Sequence, residues 1–90
     1  MRRAAHVDAN QKTIVKTLRK CGANVVSLAA CGKGIPDLLV QFRGGTFLIE
    51  VKNLDGRGKR LTEPQKKFHA TWEAIIVTDE IEALQKIGAI

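Results

Sequence analysis

Apolar residues recur along this chain with two periods, and the switches between them outline its elements. From Asp8 to Cys21, Ile14, Val15, Leu18 and Cys21 fall at one-, three- and four-residue steps, the stripe of one helical face. Gly22 follows as the natural stop. Asn24 to Ala30 (NVVSLAA) is short, apolar and β-branched at its start, which predicts a buried strand, and Cys31 to Pro36 (CGKGIP) is a glycine-rich loop. Two further apolar runs, Asp37 to Arg43 (DLLVQFR) and Thr46 to Lys52 (TFLIEVK), flank Gly44-Gly45, a two-residue connection that predicts a tight hairpin. The polar, glycine-containing segment Asn53 to Leu61 reads as a loop. Thr62 is an N-cap, with Glu63 and Pro64 suited to a first turn, and the helix beyond it carries Phe68 and Trp72 on its inner stripe. Ala74 to Thr78 is a last short strand. Asp79 to Ile87 is a last amphipathic helix with Ile81, Leu84 and Ile87 inward. The order α-β-β-β-α-β-α predicts one α/β domain spanning residues 1–90, a mixed β-sheet flanked by helices.

Composition narrows the function classes. Fifteen Lys and Arg against nine Asp and Glu give a net charge of +6, which favours a phosphate-bearing partner. A hydrophobic content of 44% excludes disorder, and 4% aromatic residues with no Tyr leave few candidates for base stacking. A chain this short buries only about 60–65% of its unfolded surface, so oligomerisation is expected. No secretory signal or long apolar run is present, which predicts a soluble cytoplasmic protein without membrane contact. Cys21 and Cys31 lack CxxC spacing and read as reduced, partly buried thiols, and His6 and His69 share no metal-ligand spacing with them.

The chemistry concentrates in Pro36-Asp37 and, thirteen positions after Asp37, Glu50-Val51-Lys52. Alternation along a strand puts Glu50 and Lys52 on one face, with Ile49 and Val51 on the other. A Gly44-Gly45 loop sets Arg43 opposite Thr46, and hence Asp37 opposite Lys52 and Leu39 opposite Glu50. Diagonal neighbours on one face lie about 7–8 Å apart, so Asp37, Glu50 and Lys52 converge. Carboxylates this close in apolar strands call for a cation between them, and Mg²⁺ suits because it takes one or two carboxylates and keeps waters or phosphate oxygens. Such an ion activates water and polarises a phosphodiester, while Lys52 holds the water or stabilises the developing charge. The blander alternative is a solvated Glu50–Lys52 pair, with Asp37 merely opening a strand.

With GIPDLLV, FLIEVKN and LTEPQKKFH in this spacing, the chain resembles the PD-(D/E)xK nuclease superfamily, specifically the stand-alone virus-type replication-repair nuclease (VRR-NUC) domains of phages and prophages. The resemblance covers nearly the whole chain. It implies a restriction-endonuclease-like core, Mg²⁺ or Mn²⁺ dependence, endonuclease activity on branched DNA such as four-way (Holliday) junctions, and a homodimer. Carried over, Asp37 is the motif aspartate, Glu50 the second metal ligand, Lys52 the motif lysine and Gln65 the glutamine opening the next helix, with the Val51 carbonyl a further metal ligand. Family members often carry a glutamate on the first helix. Here that helix offers Asp8, Asn10 and Gln11, and Asp8 is either a further ligand or a helix cap.

Arg57, Lys59 and Arg60, with Lys66 and Lys67 just beyond and Lys33 before Asp37, cluster around this site as candidate DNA contacts. No base-reading element is evident, so backbone and shape recognition is expected. The competing expectation is a catalytically silent DNA-binding accessory module of the same fold, and a third is a small toxin-like or structural interaction domain.

Overall fold

The computed structural model describes residues 9–53 and 61–90. Helix α1 (Ala9–Lys20) leads to strand β1 (Asn24–Ser27), a 3-10 turn (Ala29–Cys31), strands β2 (Leu38–Phe42) and β3 (Gly45–Val51), helix α2 (Glu63–Thr71), strand β4 (Ile75–Val77) and helix α3 (Glu80–Ile87). The expected order of helices and strands is the observed one. The four strands form one sheet in the order β1-β2-β3-β4. The first three run antiparallel, and β4 pairs parallel to β3 after the crossover through α2.

The core lies on one face of the sheet. Leu38, Val40 and Phe42 of β2 alternate inward, Ile49 of β3 and Val77 of β4 join them, and Ile14 and Leu18 of α1 with Ala83 and Ile87 of α3 close over them. This is the two-layer solution for a sheet with one apolar face. Gly22 ends α1 as expected, in the left-handed backbone that glycine takes without a Cβ penalty. Asp79 caps α3 by accepting the Glu82 N–H at 2.7 Å. Among the described residues no helix is long and apolar enough to cross a membrane.

Several local expectations are corrected. The hairpin turns on Arg43-Gly44, not Gly44-Gly45: both residues have positive φ, 48° and 82°, as a type I′ turn requires. Arg43 lies over the Phe42 ring, 4.7 Å from its centroid. Gly45 is a strand residue paired with Phe42, and a Cβ on it would lie 2.9 Å from the Phe47 ring. The ladder therefore sets Leu38 opposite Ile49 and Leu39 opposite Leu48. One step further, Asp37 stands by Glu50, not by Lys52.

Strand β1 is shorter than expected, because the chain turns into the 3-10 segment at Ala29. Cys21 and Cys31 are exposed, so neither belongs to the core. On α3 Ile81 points outward at 53% exposure, and Trp72, the C-cap of α2, is 59% exposed. The inward stripe of α3 is set instead by Ala83, Leu84 and Ile87.

Candidate active site

The site sits where β3 ends, on the face opposite the core. Alternation that buries Ile49 against the helices turns Glu50 to the other side, yet Glu50 is only 3% exposed and Lys52 only 8%. Three neighbouring segments account for that burial. Pro36, itself buried, fixes the approach to β2, and Asp37 accepts the Val51 N–H through Oδ2 at 2.8 Å. This bond locks the aspartate to β3 between Glu50 and Lys52. Asn10, in the first turn of α1, donates to the Lys52 carbonyl at 3.2 Å and the Thr78 carbonyl at 3.0 Å. It ties the helix start to the ends of β3 and β4.

The third segment is the start of α2. Thr62 and Gln65 form a reciprocal capping box: the Thr62 hydroxyl accepts the Gln65 N–H at 3.3 Å, and Gln65 Oε1 accepts the Thr62 N–H at 2.9 Å. The same Oε1 accepts from Lys52 Nζ at 3.0 Å, and Gln65 Nε2 donates to Glu50 Oε2 at 2.9 Å. Lys52 Nζ is also 3.3 Å from Glu50 Oε2. The amide thus presents its oxygen to two donors and its nitrogen to a carboxylate. Gly34 seats the glycine loop on this helix start: its φ is +79°, and a Cβ there would collide with the Pro64 carbonyl.

Electrostatically the pair of acids is unfinished. Burial holds the Glu50 carboxyl above its ordinary 4.5, the nearby Asp37 carboxylate raises it further, and Lys52 pulls it back. Glu50 Oε1 is buried and has no hydrogen-bond partner among the described residues. A buried acceptor without a donor is costly, and a divalent cation at this position would satisfy it. Among the described residues no three of His, Cys, Asp and Glu gather as a metal group, so the carboxylate set here is Asp37 and Glu50. Two carboxylates suit Mg²⁺, which retains waters and phosphate oxygens as its other ligands. The donor set fits.

Of the residues singled out from sequence, Asp37, Glu50, Lys52 and Gln65 come together, and Val51 lies among them through its N–H. The corrected register leaves this intact, because a shift of two residues keeps every side chain on its face. Lys33, Lys66 and Lys67 are exposed; Lys33 and Lys67 border one shallow groove beside α2, and Lys66 is ion-paired with Glu63 at 3.2 Å. Asp8, Arg57, Lys59 and Arg60 lie outside the described residues. Asn10, one of the first-helix residues standing where the resemblance expects a glutamate, is a tie between elements; an Asn near a helix start signals a cap, and only the strand ends packed against it reveal that tie. No protein-family model matches the chain, and neither do any curated protein or solved structure.

Proposed function

We propose that this chain is a metal-dependent DNA endonuclease of the PD-(D/E)xK class, of the virus-type replication-repair kind. It hydrolyses phosphodiester bonds in branched DNA, acting as a homodimer in the cytoplasm during phage replication, recombination or repair. The observation that carries the reading is the buried Asp37–Glu50 pair, with Glu50 Oε1 unsatisfied and Lys52 held against Glu50 Oε2 by Gln65. Asp37 and Glu50, with the Val51 carbonyl, are the residues to hold Mg²⁺ or Mn²⁺; Asp8, in the sequence either a further ligand or a helix cap, lies outside the described residues. When bound, such an ion acidifies a water and polarises the scissile phosphate. Lys52 stabilises negative charge developing on the phosphate oxygens or orients the attacking water, and Gln65 keeps its ammonium directed there. The cations Lys33, Lys66 and Lys67, together with Arg57, Lys59 and Arg60 from the neighbouring stretch of sequence, attract the DNA backbone. Opposed carboxylates supply the counterweight, since without a cation they repel phosphate.

The test is incubation of the purified chain with labelled four-way junction, duplex and single-stranded DNA in Mg²⁺, Mn²⁺ or EDTA. Metal-dependent cleavage is expected, falling by roughly a hundredfold or more in Asp37→Asn, Glu50→Gln and Lys52→Ala. Full activity in Lys52→Ala, or no cleavage of any DNA with either metal, overturns the proposal. DNA binding without cleavage that tightens in Asp37→Ala and Glu50→Ala identifies the silent accessory module instead. Light scattering of the eluted peak reads the homodimer directly.

A further inference from the structure

Trp72, the chain's single tryptophan, ends α2 with 59% of its surface in solvent. A fold short of apolar surface to bury leaves its largest aromatic ring outside the core. One face of that ring is covered: Phe68 stacks on it with centroids 5.3 Å apart and planes 9° from parallel. The pair borders a shallow groove together with Lys33, Glu63, Pro64 and Lys67. Glu63 is ion-paired with Lys66 at 3.2 Å, and the cations lining the groove are Lys33 and Lys67.

We infer that this groove is a binding site for an unpaired nucleotide of single-stranded DNA, with the base stacked on Trp72 and its phosphates on Lys33 and Lys67. An exposed indole backed by a second ring offers a flat, rigid face, which every base matches through its own π surface. Bases in duplex DNA are already stacked and present only their edges, so the site selects unpaired strand. Its place beside the proposed cleavage centre is fixed by shared segments. Lys33 precedes Asp37 by four residues, Lys67 follows Gln65 by two, and Gly34 packs directly on Pro64. The inference rests on the nuclease reading for the strand's purpose and names its substrate class: DNA with a single-stranded segment next to the scissile bond.

The test is run in EDTA, so that binding is read without cleavage. Titrating the full chain with a thymidine oligonucleotide of ~12 residues should quench the single tryptophan's fluorescence, and a blunt duplex of equal length should quench it far less. By anisotropy of the labelled oligonucleotide, Trp72→Ala should bind about tenfold more weakly, with Trp72→Phe recovering most of the loss. Lys33→Ala and Lys67→Ala should each lower the slope of log affinity against log salt by about 0.7. Absence of quenching, equal quenching by blunt duplex, or unchanged affinity in Trp72→Ala overturns the inference, even where metal-dependent cleavage is intact. Quenching and its loss in Trp72→Ala support it even where no cleavage is found, an outcome that overturns the nuclease reading alone.

Discussion

Gln65→Ala is the sharpest probe of how the site is held. The substitution removes the acceptor for Lys52 Nζ at 3.0 Å, the donor to Glu50 Oε2 at 2.9 Å and the side chain that receives the Thr62 N–H at 2.9 Å. Hydrogen bonds to charged groups contribute about 1.5–3 kcal/mol each, and a backbone N–H at a helix start that can turn to water contributes less. Gln65 is half-buried, so water replaces part of what is lost and the expected cost is about 2–3 kcal/mol. For a domain of this size that lowers Tm on the order of 10 °C. Urea unfolding followed by circular dichroism measures it, and a cycle with Glu50→Gln should return a coupling of about 1 kcal/mol. Gln65→Glu makes the control. It keeps the cap and the contact to Lys52 but sets a third carboxylate against Glu50, so it should unfold more easily at neutral pH than at pH 5. A loss below about 0.5 kcal/mol in Gln65→Ala, which is within the range of a surface substitution, would refute the arrangement.

Two further outcomes follow from the same geometry. Because burial and Asp37 raise the Glu50 carboxyl above 4.5 in the folded state, the folded protein binds a proton more readily than the unfolded chain. Metal-free protein should therefore gain stability as pH falls through the raised value toward 4.5, and lose it as pH rises; Tm across a pH series should show this slope in the parent and a flatter one in Glu50→Gln, and identical slopes would contradict it. Gly34→Ala meets both a left-handed φ of +79° and the Pro64 carbonyl, so it should cost about 2–4 kcal/mol; a Tm within a degree of the parent would show that the loop does not seat on α2.

The strand alternation was legible from sequence because its period is two, and that same period protected the site from a wrong hairpin. A turn at Gly44-Gly45 differs from the observed one by two positions in every pairing, so Asp37 and Glu50 share one face under either and are closer neighbours in the observed ladder. An error of one residue would have sent them to opposite sides of the sheet. The turn itself was hidden because Arg43 adopts a backbone more usual for glycine, while Gly45 is required by the Phe47 ring and not by the turn. The apolar spacing of a helix does not reveal which face it will cover, and so it points Ile81 and Trp72 inward where the structure leaves both exposed.

Helix α2 explains why Trp72 could not be placed by pattern. None of its residues is buried, so apolar packing contributes little to its position. What orients it is polar and steric: the Thr62–Gln65 box, the Gln65 bonds to Glu50 and Lys52, and the Gly34 contact with Pro64. Helices usually owe their stability to an apolar face, and one held by its first turn depends on the groups that turn touches. Ionisation at Glu50 or loss of Gln65 thus acts on the helix and on the carboxylate pair together. The groove bordered by Phe68, Trp72, Lys33 and Lys67 rides on that same helix, so its shape is tied to the state of the site a turn away.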